Sequence, residues 1–422
     1  MEYFERNLLN EIKKWMDRRE VIAIKGPRQS GKTTLLEMLK EWLIKEKGVS
    51  EENIVMVTFE DIETLEAFEK NPKEFVRRFK GEDRTFFMID EAQYSKNLGK
   101  NLKLLYDTVK DVKFIITGSS SLEILSQTAR FLVGRLFSFE LYPFNFYEFL
   151  NAKDKKLAKV YLEKQKKVKE FILKGKERGF GEDALLNELL TYLNEYVIFG
   201  GYPEVIKAKT PEEKKIVLKN IVNTYIEKDV VGYLHITDVI KFKNLLTALA
   251  FGIGGLVCYE KLASLCNSYF KEIKKLLEIL EQTYVVRMLR PFHRNLITEL
   301  RKNPKVYFFD LGVRNYLINN FNPLERREDV GKLVENFVLN EISPELSINF
   351  WRTTAKAEVD FILNEMPIEV KFTEMKTPKI TRSFRSFLET YKPERGVVCT
   401  KNLWHKTKTM NTNLLFVPAV YL

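Results

Sequence analysis

The segment VIAIKGPRQSGKTTLLEMLKEWL, which begins at Val21, constrains the fold of this chain more than any other segment. The apolar run Val21 to Ile24 is typical of a buried strand, and leucines at helical spacing follow from Leu35. Between them, GPRQSGKTT fits the pattern G-x-x-x-x-G-K-[ST]. A strand, a glycine-containing loop and a helix in this order form the context that a phosphate-binding P-loop requires. The sequence therefore predicts an α/β domain with a nucleotide site at its N-terminal end.

The residue types of this loop indicate binding of ATP with Mg²⁺. Glycines let backbone N–H groups point at phosphate oxygens, and the start of a helix favours an anion. Lys32 is expected to reach the β- and γ-phosphates, and the Thr33 hydroxyl is expected to ligate Mg²⁺. The residues predicted to bind the nucleotide and its metal are Gly26, Pro27, Arg28, Gln29, Ser30, Gly31, Lys32, Thr33, Thr34, Asp90 and Ser119.

The acidic pair belongs to TFFMIDEAQ, a continuous apolar strand that ends in Asp90 and Glu91. Asp90 is predicted to hold the magnesium with its water shell, and Glu91 to polarise the attacking water. A third apolar strand, KFIITGSSS, ends in hydroxyls at Thr117, Ser119 and Ser120. These hydroxyls either sense the γ-phosphate or cap the next helix, and the sequence leaves both interpretations open.

Two arginines follow this strand, Arg130 and Arg135, in ARFLVGRLFSFELYPFNFYEFL. One interpretation makes them arginine fingers that act across a subunit boundary, which requires a homo-oligomer. The other makes them ordinary surface arginines. Arg135 is the candidate that we place in the catalytic set.

The segments GPRQSGKTTLL, FFMIDEAQ, ITGSSS, LVGRLFSFELYPFNFYEF and FGGYPE resemble the archaeal and bacterial AAA+-type ATPases that carry a C-terminal domain of unknown function. The resemblance spans most of the chain. It implies an AAA+ core with a helical lid, in which Asp90 and Glu91 are the Walker B pair. The lysine-rich helices after residue 150 are then an exposed part of the lid, or a nucleic-acid-contacting insertion.

Residues 238–300 show a different sequence pattern, in which three helical segments are followed by RMLRPFHRN. Helix, helix, helix and wing predict a winged helix-turn-helix. Its third helix would present Tyr269, Lys271, Lys274 and Lys275 to a DNA groove, and Arg287, Arg290 and Arg294 would meet phosphates. The alternative is a packing module without DNA contact.

The stretch AEVDFILNEMPIEVKF predicts a hairpin with a tight turn at Asn364-Glu365. Because side chains alternate along a strand, Glu358 and Asp360 share one face, and Glu369 and Lys371 share one face of the second strand. Glu335 lies on the apolar side of the preceding helical pattern, where an unpaired carboxylate is costly. A divalent cation shared by Glu335, Asp360 and Glu369 would satisfy it, and Lys371 would stabilise the attacking hydroxide or the transition state.

This order of residues resembles the PD-(D/E)XK nuclease superfamily, although no proline precedes Asp360. The resemblance implies catalytic roles for Glu369 and Lys371 and a Mg²⁺ or Mn²⁺ site formed by Glu335, Asp360 and Glu369. It implies a restriction-endonuclease-like α/β domain, whether active or kept for binding alone.

Four parts are predicted: an AAA+ core in 1–144, a lid in 145–236, a winged helix in 237–305 and a nuclease-like domain in 306–422. The net charge of +11 and the pI near 9.2 favour a polyanionic partner such as duplex or branched DNA, or reflect only a lysine-rich surface. Three cysteines without a CxxC pair and no apolar stretch of membrane-spanning length predict a cytoplasmic protein.

Two functions remain open on this reading. One is an ATP-hydrolysing, DNA-binding protein with a Mg²⁺- or Mn²⁺-dependent nuclease site. The other is a nucleotide-controlled switch that binds a protein partner and carries an inactive nuclease-like domain.

Overall fold

The computed structural model of the chain describes residues 3–119, 131–176, 179, 183–233, 238–292, 302–342 and 346–422. Contacts divide the chain into two compact units, Met1–Phe144 with Gln282–Val285, and Asn145–Glu281 with Val286–Leu422. The four-part division expected from the sequence stays a prediction.

The first unit is built on a parallel sheet. Its described strands are β1 (Val21–Lys25), β2 (Ile54–Thr58), β3 (Thr85–Asp90), β4 (Val112–Gly118) and β5 (Leu136–Glu140). They lie in the order β2-β3-β4-β1-β5, and every neighbouring pair is parallel. Strands β1, β3 and β4 are buried along their whole length, which explains their continuous apolar sequences. The predicted α/β fold class is confirmed.

Helices cover both faces of this sheet. They are α1 (Asn7–Lys13), α2 (Lys32–Lys45), α3 (Ile62–Lys70), α4 (Pro72–Phe79) and α5 (Leu98–Thr108). Leu35, Leu36 and Leu39 of α2 join one hydrophobic core, and Leu102 and Leu105 of α5 join the core on the opposite face. Because all strands run the same way, the loops that follow β1, β3 and β4 meet at one edge of the sheet.

The second unit begins with helices and a π-helical segment, Tyr225–Tyr233. Its described helices are α6 (Phe146–Lys153), α7 (Lys155–Lys174), α8 (Leu186–Phe199), α9 (Pro203–Lys207), α10 (Pro211–Thr224), α11 (Val239–Phe251), α12 (Tyr259–Leu265), α13 (Phe270–Gln282), α14 (Leu311–Leu317), α15 (Val330–Glu341) and α16 (Arg382–Tyr391). Helices α11, α12 and α13 are followed by a strand, which is the order expected of a winged helix. That assignment stays a prediction.

The sheet of the second unit draws strands from both sides of residue 306. Its described strands are β6 (Val286–Pro291), β7 (Lys305–Phe308), β8 (Ile348–Arg352), β9 (Glu358–Leu363), β10 (Met366–Val370), β11 (Arg395–Thr400), β12 (His405–Thr409) and β13 (Thr412–Pro418). Their order is β12-β13-β11-β10-β9-β8-β6-β7. The expected boundary between residues 305 and 306 therefore falls inside a strand of this sheet.

The predicted hairpin is formed by β9 and β10, which pair in antiparallel register. Asn364 and Glu365 connect them with φ values of 48° and 67°. Positive φ at both central residues is typical of the two-residue turn that matches the twist of a hairpin. The turn thereby fixes which side chains of β9 and β10 share a face.

The FGGYPE segment packs closely on the start of α14. A Cβ on Gly200 would lie 2.2 Å from a carboxylate oxygen of Asp310, and a Cβ on Gly312 would lie 2.0 Å from the Phe199 oxygen. Asp310 accepts a hydrogen bond from the Gly201 N–H at 2.7 Å. Glycine is needed here because two backbone segments approach each other without room for a side chain.

Among the helices that the structure describes, none is both long enough and apolar enough to cross a membrane.

Candidate functional site

The P-loop connects the end of β1 to the start of α2. A Cβ on Gly26 would lie 2.1 Å from the Leu141 oxygen, so this position has no room for a side chain. Gly31 adopts φ 94°, ψ 28° directly before the first residue of α2. The Ser30 hydroxyl is buried and has no hydrogen-bond partner among the described residues. A tight loop with an unsatisfied polar atom at a helix N-terminus fits an anionic ligand.

Lys32 is buried within this loop. Its Nζ donates hydrogen bonds to the Gly26 oxygen at 3.0 Å and to the Pro27 oxygen at 2.8 Å. The amine therefore lies against the backbone of the loop whose N–H groups are predicted to bind phosphate. Its place agrees with the role that the sequence suggests for it, and this role stays a prediction.

Asp90, at the end of β3, receives two hydroxyl hydrogen bonds. Thr33 Oγ1 donates to Asp90 Oδ2 at 2.6 Å, and Thr117 Oγ1 donates to Asp90 Oδ1. The Glu91 N–H also donates to Asp90 Oδ1, at 3.1 Å. Thus the residues predicted as magnesium ligands, Thr33 and Asp90, are in direct contact. A hydroxyl and a carboxylate are oxygen ligands of the kind that Mg²⁺ takes.

Gln93 is a site residue that the sequence analysis did not identify. Its Nε2 donates to Glu91 Oε2 and, at 3.1 Å, to Ser119 Oγ. Glu91 itself has a left-handed backbone, with φ 50°. The amide side chain therefore joins the predicted catalytic glutamate to the hydroxyl at the end of β4. The signal in the sequence was a polar residue two positions after Glu91, in DEAQ.

The hydroxyl residues after β4 and the two candidate arginine fingers lie in different places. Ser119 contacts Gln93, while Ser120 and Arg130 lie outside the described residues. Arg135 precedes β5 at the amino-terminal edge of the sheet, opposite the P-loop, and pairs with Asp107 at 3.1 Å. Its role as an arginine finger toward another subunit stays a prediction.

The hairpin of the second unit brings Asp360 and Glu369 into electrostatic contact. Burial, with the carboxylates of Glu335 and Glu369, raises the pKa of Asp360 to about 7. Asp360 Oδ2 accepts a hydrogen bond from the Val370 N–H at 2.8 Å. Burial also raises the pKa of Glu369, despite Lys371. Two crowded, buried carboxyl groups favour either a proton or a cation between them.

Glu369 contacts Lys371 through one oxygen only. Its Oε1 lies 3.2 Å from Lys371 Nζ and accepts a hydrogen bond from Thr381 Oγ1 at 3.0 Å. Its Oε2 is buried and has no hydrogen-bond partner among the described residues. This carboxylate oxygen is therefore suited to bind a cation or a proton.

Glu335 has partners that the sequence analysis did not anticipate. Lys305 Nζ lies 3.3 Å from Glu335 Oε1, Lys332 Nζ lies 2.7 Å from Oε2, and the Tyr307 hydroxyl donates to Oε1. Although burial opposes ionisation, these lysines lower the pKa of Glu335. The reason given for a metal at Glu335, an unpaired buried carboxylate, is therefore wrong.

Across the part of the chain that the structure describes, no group of three or more His, Cys, Asp or Glu side chains is placed to hold a metal ion. Glu335 is near enough to raise the pKa of Asp360, but its own oxygens pair with Lys305 and Lys332. The cation site predicted from Glu335, Asp360 and Glu369 stays a prediction.

The third helix of the expected winged helix, α13, presents a basic face. Tyr269, Lys271, Lys274 and Lys275 are exposed, while the apolar side chains of α13 are buried. Arg290 on β6 is exposed, but Arg287 donates a hydrogen bond to the Leu339 oxygen at 3.3 Å. Arg294 lies outside the described residues.

Three family models match separate parts of the chain. Residues 18–150 match an AAA domain, residues 190–324 match a domain of unknown function (DUF8612), and residues 330–419 match a domain of unknown function (DUF4143).

Relatives of similar length exist in bacteria and archaea. An uncharacterized protein of Haemophilus influenzae is 23% identical, over 97% of this chain and 96% of its own length. An uncharacterized protein of Methanocaldococcus jannaschii is 26% identical, over 82% of this chain and 72% of its own length. One of these relatives is bacterial and the other is archaeal.

Solved structures resemble the chain only distantly. Domain III of the Thermotoga maritima replication initiation protein DnaA is 16% identical, with a TM-score of 0.29 over 55% of this chain and 88% of that chain. The Aeropyrum pernix ORC1 protein in complex with DNA is 10% identical, with a TM-score of 0.31 over 74% of this chain and 91% of that chain. Likenesses at this level imply nothing about what this chain binds.

The function of the first unit thus rests on its own geometry and on the AAA domain match. The P-loop, the Thr33–Asp90 contact and the neighbouring Glu91 lie at one edge of a parallel sheet. The match to an AAA domain over residues 18–150 covers the same part of the chain as this geometry, and both are typical of a P-loop nucleotide site.

Proposed function

We propose that the protein hydrolyses ATP with Mg²⁺ in its first unit and binds DNA through its second unit. The observation that carries the first part is the contact between Thr33 and Asp90, with Glu91 hydrogen-bonded to the same carboxylate through its backbone. It joins the phosphate loop to an acidic pair, as nucleotide hydrolysis requires.

In this proposal each residue has a distinct task. The loop from Gly26 to Gly31 and the amine of Lys32 bind the phosphates, and Thr33 with Asp90 would hold the metal. Bound Mg²⁺ neutralises charge that develops on the phosphate oxygens. Glu91 would accept the proton of the attacking water.

Phosphate release tests the ATPase proposal. Glu91→Gln should reduce turnover about 10²- to 10⁴-fold while ATP still binds, because only the base is lost. Lys32→Ala should abolish binding and turnover together. Glu82→Gln, an exposed change in the same unit, is the matched control. Normal turnover in Lys32→Ala would contradict the assignment of the P-loop.

The exposed lysines of α13 support the DNA part of the proposal. Lys271, Lys274 and Lys275 are exposed, as is Tyr269 directly before the helix, and the chain carries a net charge of +11. Such a face is suited to phosphates of duplex or branched DNA, and its binding should weaken steeply with salt.

Fluorescence polarisation with labelled duplex, branched and single-stranded DNA tests this part. Changing Lys271, Lys274 and Lys275 to Gln should weaken binding and reduce the slope of log K against log salt by about 2 to 3. Three exposed lysines of α7, Lys155, Lys156 and Lys159, changed to Gln provide a control with the same loss of charge. Equal effects of both triple changes would contradict a specific role for α13.

A second candidate function is Mg²⁺- or Mn²⁺-dependent cleavage of DNA by the C-terminal hairpin. The unsatisfied Glu369 Oε2 and the neighbouring Asp360 favour it. Cleavage of the same DNA panel should then disappear in both Glu369→Ala and Lys371→Ala. If the purified protein cuts no substrate with or without ATP, the alternative is favoured, a nucleotide-controlled switch that binds a protein partner through an inactive nuclease-like domain.

A further inference from the structure

Arg6 lies beside the P-loop although it is far from it in sequence. Its side chain is buried, with the residue 7% exposed, at the N-terminal end of α1. Nη1 donates a hydrogen bond to the Ser30 oxygen at 2.8 Å, and Nη2 donates to the Tyr142 oxygen at 2.6 Å. The guanidinium also lies 4.5 Å from the centre of the Phe144 ring. A buried cation therefore bridges the phosphate loop and the segment after β5.

The bond to Ser30 determines the direction of the next N–H. The Ser30 C=O and the Gly31 N–H belong to one planar, trans peptide unit, in which they point in opposite directions. Because Arg6 holds the oxygen on its own side, the Gly31 N–H is directed away from Arg6. Backbone N–H groups of this loop are the donors that a P-loop offers to phosphate oxygens.

The conformation of Gly31 explains why the orientation of the Ser30–Gly31 peptide unit needs to be fixed. Its φ of 94° lies in a region that glycine visits freely, so the peptide unit before it has a low intrinsic preference for one orientation. A flipped unit would present a carbonyl oxygen, rather than an N–H, to the phosphate. A charged donor on the Ser30 oxygen opposes that flip more strongly than a neutral donor would.

The segment after β5, to which Arg6 also binds, is itself held in place by the end of β1. The Leu141 N–H donates to the Lys25 oxygen at 2.7 Å, at the end of β1. The Leu141 oxygen lies so close to Gly26 that a Cβ there would approach within 2.1 Å. Arg6 thus fixes the loop against a segment that is already bound to the central strand.

We infer that Arg6 is a positioning residue of the nucleotide site, which orients the Gly31 N–H toward the phosphates of the bound nucleotide. The inference rests on the proposed ATP binding and adds a residue to it. Arg6 acts through the backbone and does not touch the nucleotide.

Binding of fluorescent ATP and ADP to full-length variants tests the inference. Arg6→Met keeps the alkyl chain but removes the donors, and should weaken ADP and ATP binding about tenfold or more. AMP lacks the β-phosphate, so its affinity should fall less than that of ADP. Loss of the ADP-over-AMP preference is a readout that a general loss of stability does not produce.

Arg84→Met is the matched control. Arg84 also donates to backbone oxygens of the first unit, those of Met16, Asp17 and Arg18, but it does not contact the P-loop. Its loss should lower the melting temperature and leave the ADP-over-AMP preference unchanged.

The outcomes separate the inference from the proposed function. A wild-type protein that binds no nucleotide overturns the proposed function. Wild-type binding with an unchanged preference in folded Arg6→Met overturns the role of Arg6. If Arg6→Met does not fold, Arg6→Lys decides, because it keeps the charge but lacks the planar pair of donors. Several-fold weaker ADP binding in Arg6→Lys supports the inference, and wild-type affinity overturns it.

Discussion

Replacement of Lys305 by Met should destabilise the second unit strongly. The Lys305 side chain is 1% exposed, and its Nζ lies 3.3 Å from Glu335 Oε1 and 2.7 Å from Glu358 Oε1. Removing one partner of a buried ion pair leaves the other charge without compensation, which typically costs about 3–5 kcal/mol.

The remaining contacts place the expected cost at the lower end of that range. Glu335 retains Lys332 at 2.7 Å, and Glu358 retains Arg352 at 3.2 Å. We therefore expect the free energy of unfolding to fall by about 3 kcal/mol. For a unit of this size, such a loss lowers the melting temperature by about 6–12 °C.

Urea and thermal unfolding of a double-mutant cycle measure the effect. The cycle comprises Lys305→Met, Glu335→Gln and the double variant, which should recover part of the loss because the neutral Gln no longer needs a cation. Lys302→Met, an exposed change three residues away, should stay within about 0.5 kcal/mol of the wild type. If Lys305→Met behaves like Lys302→Met, the reasoning that Lys305 neutralises Glu335 is refuted.

The other predictions concern the nucleotide site, pH and packing. Gln93→Leu should lower ATP turnover about tenfold with little effect on ADP binding, because Gln93 contacts Glu91 and Ser119. Steady-state kinetics and an ADP titration check this. Burial raises the pKa values of Asp360 and Glu341 to about 7, so the folded state binds protons that the unfolded state lacks between about pH 4 and 7. Melting curves should therefore show higher stability at pH 5.5 than at pH 8, and a smaller difference in Asp360→Asn. Gly200→Ala should cost more than 3 kcal/mol in urea unfolding, since its methyl group would overlap the Asp310 carboxylate, and a loss below 1 kcal/mol would contradict that packing.

Most features that the sequence predicted correctly are defined by short local patterns. A strand, a glycine loop and a helix follow each other within 25 residues, so their order alone indicates where Lys32 and Thr33 lie. The carboxyl ends of parallel strands meet at one edge of the sheet, so the sequence alone predicted that Asp90 and Thr33 belong to one site. The hairpin turn at Asn364-Glu365 could also be predicted from the sequence, because two residues suffice to define it.

Contacts between residues that are far apart in the sequence could not be predicted from local patterns. Lys305 neutralises Glu335 from 30 residues away, on a strand whose sequence gives no sign of its partner. The pairing of β6 with β8 joins Arg290 to Asn349, and no local pattern indicates such a register. Arg6 reaches Ser30 from another element for the same reason. Each of these contacts depends on tertiary packing, which overrides what neighbouring residues suggest.

The placement of β7 in the second sheet has a consequence for how this chain can be divided. A fragment that begins at residue 306 would lose the whole of β6 and the residue that neutralises Glu335. It would expose the backbone N–H and C=O groups of β8 that pair with Arg290 and Pro291, and an uncovered strand of this kind promotes aggregation. Recombination that joins the C-terminal segment to a foreign N-terminal domain should therefore succeed only when the exchange point precedes Val286.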